Sequence, residues 1–156
     1  MEIYSGFLWV SNRINTIIHN EQNHTITLII QKDTNMKAKN YLVVQDHTSE
    51  YPEPITFAKG APLTVGEKYE GPEGWDDWLF CDTPGQKGGW VPAQIIEVIN
   101  GKAARAREDY TARELNVQEG DLLLGSRTMN GWVWCKNPGN SESGWVPLAN
   151  LKEVCQ

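Results

Sequence analysis

Two tryptophans 54 residues apart have the type and surroundings best suited to recognising a ligand. Trp78 follows directly after Asp76 and Asp77, and Trp132 occupies the same place in a second stretch of similar sequence. An indole offers a large apolar face and one N–H donor, and a neighbouring carboxylate can hold the cationic end of Lys or Arg. This combination is typical of non-covalent binding to a basic peptide.

The sequence does not support catalysis. Of its three histidines, His19 and His24 lie near the N-terminus and His47 has no equivalent in the second stretch, so no nucleophile with a base can be assembled from repeated positions. No Gly-rich phosphate loop precedes a helical pattern, and no CxxC or close His/Cys cluster is present. We therefore predict that the protein is not an enzyme and uses no cofactor and no metal.

The acidic charge is concentrated in one part of the chain. Residues 41–99 carry three Lys/Arg against ten Asp/Glu, which gives −7, whereas residues 102–156 carry seven against seven. The whole chain has a net charge of −6, which argues against general nucleic-acid binding. The asymmetry predicts a basic partner and a salt-sensitive association rate. The alternative is that the acids only keep the protein soluble.

The sequence also bears on location. No apolar run approaches the ~18 residues of a membrane span, and the N-terminus has no recognisable secretion signal. Three cysteines do not make a set of paired disulfides, which suits a reducing compartment. We predict a cytoplasmic protein that does not contact membranes.

A longer motif that includes these tryptophans occurs twice. Residues 78–85 and 90–92 recur as residues 132–139 and 145–147, with Trp, Cys, Pro and Gly at matching places. The offset is 54 residues in the first part and 55 in the second, so one residue has been inserted. The motif indicates a duplicated small domain. Cys81 and Cys135 are equivalent, and we predict that each is a small buried thiol.

Each copy has the pattern of a small β-barrel. Short β-branched and aromatic runs alternate with turn signals such as Pro84-Gly85, where Pro fixes φ and Gly accepts positive φ. Five short strands per copy, with no helical period of ten or more residues, favour a barrel. Residues 100–102 mark the boundary, and so short a linker should hold the two copies close together.

Residues 1–40 differ in character and contain nothing that matches the repeat. Residues 6–10 and 26–30 have the composition of strands. Two interpretations stay open. In the first, this segment is an extension outside the functional unit, and in the second it is a β-hairpin that packs on the first domain.

Both copies resemble the Src-homology-3 domain. The family's opening Ala-Leu-Tyr-Asp-Tyr strand matches residues 43–47 and 106–110, and its Gly-x-Val-Pro motif matches residues 89–92 and 144–147. The resemblance covers residues 41–154 and is closest in kind to bacterial proteins with tandem domains. It implies an all-β fold of two tandem Src-homology-3-like barrels, at 41–99 and 103–154, and a role as a protein-interaction module.

The resemblance also implies a shallow aromatic groove for a peptide, expected mainly on the first barrel. A polyproline helix is already extended, so docking it on flat aromatic faces costs little ordering entropy. Carried over onto this sequence, the groove residues are His47, Glu50, Asp76, Asp77, Trp78, Pro92, Tyr110, Trp132 and Pro147. The position of the two tryptophans on their strands favours exposure to a ligand.

The sequence departs from the family at its groove tyrosines. The first is Gln45 in one copy and Glu108 in the other, and a later one is Ile95 and Asn150. Both proline pockets are therefore incomplete. The predicted ligand is a basic peptide segment of a partner protein, for which proline content stays open.

Three other functions stay open at this point. The first is binding of peptidoglycan in a bacterial cell wall, and the second is a structural tandem barrel whose tryptophans pack between the barrels. The third is association with RNA through a local basic strip at Arg105, Arg107 and Arg113, which the charge of the first copy opposes.

Overall fold

The computed structural model describes residues 37–155, which form short β-strands and two 3₁₀ turns. The strands are β1 (Lys39–Val43), β2 (Thr56–Phe57), β3 (Pro62–Lys68), β4 (Trp78–Asp82), β5 (Gly89–Pro92), β6 (Ile96–Asn100), β7 (Ala103–Ala106), β8 (Tyr110–Thr111), β9 (Leu122–Met129), β10 (Trp132–Lys136), β11 (Ser143–Pro147) and β12 (Leu151–Val154). The 3₁₀ turns are Ala93–Ile95 and Leu148–Asn150. No helix in this part of the chain could span a membrane. The all-β prediction is confirmed.

Two five-stranded antiparallel sheets make up the fold, and each takes strands from both repeats. Their strand orders are β5-β4-β3-β7-β6 and β11-β10-β9-β1-β12. Strand β1 of the first repeat lies between β9 and β12 of the second, with Tyr41 opposite Leu123 and Glu153. Strand β7 of the second repeat lies between β3 and β6 of the first, with Ala104 opposite Leu63 and Val98. The repeats have exchanged their first strands.

The linker between the repeats explains the exchange. Only Gly101 and Lys102 separate β6 from β7, and Gly101 has φ 58°. So short a connection joins two antiparallel neighbours, which makes β7 the hairpin partner of the last strand of the first repeat. The place between β9 and β12 is then open to β1, which buries alternate residues as β7 does.

The long loops that follow β1 and β7 exchange partners in the same way. In the small pair β2–β8, Phe57 of the first repeat lies opposite Tyr110 of the second, and His47 bridges to Val117. Glu114 forms a second isolated bridge, with Trp145. That residues 41–99 and 103–154 form two separate barrels stays a prediction. Each five-stranded sheet takes strands from both of these ranges.

The buried side chains form two clusters. One contains Tyr41 and Val43 of β1 together with residues of the second repeat. The other is built mainly from the first repeat and includes Met129, Trp132 and Trp145 of the second. Because each cluster draws on both repeats, the region from residue 37 onward packs as one compact unit.

Each cluster contains one of the two equivalent cysteines. Cys81 and Cys135 have no exposed surface, which confirms the prediction that they are buried thiols. Burial raises the pKa of Cys81 to about 11 and that of Cys135 to about 12, because the thiolate would lose its hydration. The strands predicted at 6–10 and 26–30 lie outside the described residues.

Candidate functional site

A cleft of about 390 Å³ lies where the two repeats meet. Its lining comes from five places: the long loop of the first repeat (residues 47–55), the connection between β3 and β4, the first residue of β4, residues 88–90 at the start of β5, and side chains of the second repeat. The second repeat contributes Tyr110, Ala112, Glu114, Trp132 and Trp145. A volume of this size is in the range of ligand pockets, and neither repeat lines it alone.

An unbroken row of rings forms one side of the cleft, and we call it the aromatic wall. Tyr69 lies 5.3 Å from Trp90 and 5.7 Å from Trp75, measured between ring centroids. Trp75 lies 4.9 Å from Trp132, and Trp132 lies 5.5 Å from His47. Four of these five residues belong to the first repeat, and Trp132 belongs to the second. The wall therefore crosses from one repeat to the other.

The connection between β3 and β4 positions the centre of this wall. It runs from residue 69 to residue 77, and it places Trp75 over Gly131 of the second repeat. A Cβ added at Gly131 would lie 2.9 Å from Cδ1 of Trp75. Because Gly131 has no side chain, the indole of Trp75 can lie at this position.

Carboxylates surround the wall. Glu50, Glu53, Glu73 and Glu114 all line the cleft. Glu53 forms an ion pair with Lys87 at 3.0 Å. A carboxylate oxygen of Glu114 lies 2.9 Å from Nε2 of His47, within hydrogen-bonding distance. Within residues 37–155, Glu50 has no ion-pair partner. The cleft is therefore an aromatic site with a negative rim.

Glu73 also fixes one ring of the wall. Its carboxylate accepts a short hydrogen bond from the hydroxyl of Tyr69. This bond raises the pKa of Tyr69 to about 12, with burial and the charge of Glu73 adding to the effect. Tyr69 consequently stays a neutral donor at physiological pH and is held in the wall by its own loop.

His47 and Glu114 join the two repeats inside the cleft. Each side chain is about one-seventh exposed, 15% and 14%. The imidazole edge packs on Trp132 with an interplanar angle of 78°. Because His47 comes from the first repeat and Glu114 from the second, the pair holds the exchanged loops in register.

The structure brings five of the nine predicted groove residues to the cleft, namely His47, Glu50, Trp78, Tyr110 and Trp132. The prediction that the two tryptophans are exposed is wrong, because Trp78 is 6% and Trp132 8% exposed. The indole N–H of Trp78 donates to the carbonyl of Asn130 at 3.0 Å. That N–H therefore joins the two repeats, and its hydrogen bond is made within the protein. Whether either ring contacts a ligand stays a prediction.

Tyr110 is also buried at the cleft. Its hydroxyl donates to the carbonyl of Trp90 at 3.1 Å. Burial raises the pKa of Tyr110 well above its usual value, with smaller contributions from Glu114 and Cys81. The residue thus remains a neutral hydrogen-bond donor between the two repeats.

The other four predicted residues do not line the cleft. Pro92 and Pro147 are buried at strand ends, where they lie opposite Trp78 and Trp132. Asp76 and Asp77 are exposed on the loop, and the carbonyl of Asp77 accepts hydrogen bonds from Ala93 and Asn130. Their role in peptide binding stays a prediction.

Sequence reasoning missed other members of the site. Trp90 and Trp145 were not among the predicted groove residues, nor were Tyr69 and Glu73 as ring and carboxylate of one wall. Trp75 was not among them either, yet it lines the cleft and packs on Trp132 of the second repeat. The available signal was that Trp75 has no equivalent in the second repeat.

Comparison with known proteins supports an SH3-like protein. Residues 41–99 match the family model described as a variant SH3 domain. No curated protein and no solved structure matches the chain. SH3 domains are general protein-interaction modules and are typically not catalytic. No metal-binding cluster of His, Cys, Asp or Glu exists among residues 37–155.

Proposed function

We propose that the cleft binds a basic peptide segment of another protein and that the protein is a non-enzymatic interaction module. The observation that carries the proposal is the aromatic wall with carboxylates around it, built from both repeats. The match of residues 41–99 to a variant SH3 domain supports the same class of function. The proposed setting is the cytoplasm.

The wall and the rim would recognise different parts of the peptide. Flat rings such as Trp75 and Trp90 offer apolar area to aliphatic or proline side chains and can take a cation on their faces. The carboxylate of Glu50 is exposed and would accept an Arg or Lys of the ligand. A cleft of this size buries little area, so we expect a weak and salt-sensitive complex.

Proline content is the finer part of the proposal. The positions of the family's groove tyrosines hold Gln45, Ile95, Glu108 and Asn150, so the ordinary proline pockets are replaced. The wall offers an alternative surface on which an extended basic segment could lie, with or without proline. Comparing two basic peptides that differ only in proline would decide this point.

The test is fluorescence polarisation with labelled ten-residue peptides of three kinds: basic with proline, basic without proline, and acidic with proline. We expect the basic peptides to bind and the acidic one not to bind. Trp75→Ala should weaken binding by about tenfold or more, since it removes the central ring. Trp134→Ala is the matched control, because Trp134 does not itself line the cleft and contacts it only through Trp145.

Two results would contradict the proposal. One is equal binding by the basic and acidic peptides, and the other is equal loss of binding in Trp75→Ala and Trp134→Ala. Pelleting of the protein with purified bacterial sacculi, unaffected by Trp75→Ala, would favour the peptidoglycan alternative. Protein that binds none of these probes would leave the rings to a structural role between the repeats.

A further inference from the structure

The sheet that contains β1 has an apolar outer face. Tyr41 and Val43 of β1 are buried in the core, as is Leu123 of β9. Side chains alternate between the two faces of a strand, so the residues between and beside these point to the opposite side of the sheet. Four of them are apolar, and we call them the leucine face: Leu42, Val44, Leu122 and Leu124.

The leucine face is contiguous and open to solvent. Leu42 lies directly opposite Leu122 in the pairing of β1 with β9, and side chains in such pairs contact each other. Leu122 is 63%, Val44 42% and Leu124 38% exposed. Exposed apolar side chains that are scattered singly are ordinary, but a contiguous group of them indicates an interaction surface.

The equivalent face of the other sheet is polar. The residues that correspond to Leu122, Leu124, Leu42 and Val44 are Pro62, Thr64, Arg105 and Arg107. Arg105 forms an ion pair with Glu97 at 3.6 Å. Because the same arrangement of strands carries a polar outer face in one sheet, the fold itself does not require leucines in the other.

Two lysines lie at the ends of the leucine face. Lys136 of β10 and Lys152 of β12 each lie opposite one of its leucines. Within residues 37–155, neither lysine forms an ion pair. Their equivalents on the other sheet are the carboxylates Asp82 and Glu97. The leucine face therefore has positive ends, although the net charge of the chain is −6.

We infer that the leucine face binds an amphipathic helix of a partner protein, with an apolar stripe along one side and carboxylates at both ends. Strands β1 and β9 are paired on both sides, so the centre of the face offers side chains and not backbone groups. A helix satisfies its own backbone groups and buries its apolar stripe against another element. This second surface is separate from the cleft and goes beyond the proposed function.

The two lysines set the spacing of the carboxylates. Lys136 and Lys152 are three strands and two residues apart, which is about 16 Å at the usual spacings of a sheet. A helix covers this distance in about 11 residues. The partner helix therefore has acidic residues about three turns apart, with its apolar residues between them. The charged ends would select the partner more than they would strengthen the complex.

Two other occupants agree less well with the charges. Two copies of the protein packed leucine face on leucine face would gather four lysines around one interface, and like charges repel there. An anionic lipid surface would attract the lysines, but it would repel residues 41–99, which carry −7. An acidic helix complements both the leucines and the lysines.

The test is fluorescence polarisation with labelled, alanine-based peptides of about 18 residues, which are long enough to form a helix. The first has a leucine stripe and Glu at both ends, and the second has Lys in place of Glu. The third has the composition of the first but no stripe. We expect the first peptide to bind at least about tenfold more tightly than either of the others.

Substitutions on the two equivalent faces assign the site. Leu122→Ser should weaken binding of the Glu-ended peptide by about tenfold or more, because it removes the most exposed leucine. Pro62→Ser is the matched control on the other sheet and should change binding less than about twofold. The double variant Lys136→Glu/Lys152→Glu should reverse the preference in favour of the Lys-ended peptide. This reversal tests the face without altering any leucine, and circular dichroism checks the fold of each variant.

Several results would overturn the inference. They are equal binding of the three peptides, binding of none of them, and equal losses in Leu122→Ser and Pro62→Ser. Self-association in sedimentation that Leu122→Ser abolishes would assign the face to a second copy. Binding to phosphatidylserine vesicles that Leu122→Ser abolishes would assign it to lipid. Binding of the basic peptides at the cleft is measured separately, so either proposal can fail while the other stands.

Discussion

The connection between β3 and β4 and its equivalent between β9 and β10 join the same pair of strands in two very different ways. The first runs from residue 69 to 77 and contributes a tyrosine, a glutamate and a tryptophan to the cleft. The second is the two-residue turn Asn130-Gly131, with φ values of 46° and 84°. Such a turn matches the twist of the flanking strands. One copy therefore uses this connection to line the cleft, and the other closes a tight hairpin with it.

The difference shows how two similar stretches of sequence can form one cleft instead of two. The short turn of the second repeat leaves room for Trp75 of the first, which then packs on Trp132. Asn130 also links the repeats, since its carbonyl accepts from Trp78 and its amide donates to the carbonyl of Asp77. The short turn of the second repeat thus helps to form the cleft that the longer connection of the first repeat lines.

The largest expected effect comes from making the two connections alike. Replacing residues 69–77 by Asn-Gly should abolish binding of the basic peptides, with a loss of about a hundredfold or more, because it removes the centre of the aromatic wall. The β3–β4 hairpin should still form, since the same turn closes β9–β10. Circular dichroism and polarisation measure the two properties; a folded variant that still binds would mean that the wall is not the site.

Truncation of the two adjacent indoles should separate structure from binding. Trp132→Ala should lower the free energy of unfolding by about 3–5 kcal/mol, because this ring is buried between the repeats. Trp75→Ala should cost about 1–2 kcal/mol, since this ring is partly exposed. Urea unfolding gives both values. Equal losses would mean that Trp75 is as structural as Trp132.

Two glycines with positive φ provide a finer comparison. Gly131→Ala should lower the free energy of unfolding by about 2 kcal/mol, because backbone strain is joined by a clash with Trp75. Gly74→Ala should cost about 1 kcal/mol, since it has strain but no neighbour within 4 Å. The double variant Gly131→Ala/Trp75→Ala should lose less than the sum of the two single changes, and strict additivity would argue against the clash.

The smallest expected effect is the pH dependence contributed by the equivalent cysteines. Burial raises both pKa values, so the unfolded thiols ionise first, near pH 9. The stabilisation is then complete below that pH and is lost as the pH rises through about 11 to 12. Cys81→Ala and Cys135→Ala should each flatten this decline between about pH 9 and 11, where either thiol is ionised only in the unfolded protein. A decline that stays unchanged in both variants, in urea titrations from pH 8 to 11, would contradict this prediction.

The strands could be predicted because their signals are local. The Pro84-Gly85 turn signal lies between β4 and β5, and the motif at 78–92 that recurs at 132–147 contains β4 and β5 in one copy and β10 and β11 in the other. Tyr110–Thr111 was missed as a strand because it pairs with only two residues, contributed by the other repeat. Pairing between distant segments leaves little trace in so short a stretch.

The strand exchange could not be predicted from the pattern of either repeat. β1 and β7 both bury alternate residues, Tyr41 and Val43 in one and two alanines in the other, so the alternation alone does not say which sheet each strand joins. The choice depends on the length of the linker at Gly101-Lys102, which was seen only as a reason for closeness. The cleft depends on the exchange of strands and on the longer loop of the first repeat. The groove inferred by resemblance to a single domain took neither into account, so it wrongly predicted that Trp78 and Trp132 are exposed.

The strand exchange also has a consequence for the order in which the strands pair as the chain is synthesised. Strands β3 to β7, which complete one sheet, are continuous in the chain from residue 62 to 106. That sheet has mostly local contacts and can fold early. Strand β1 leaves the ribosome before it, yet Tyr41 must wait for Leu123 and then Glu153. Although β1 is synthesised before β3 to β7, we expect it to be among the last strands to pair.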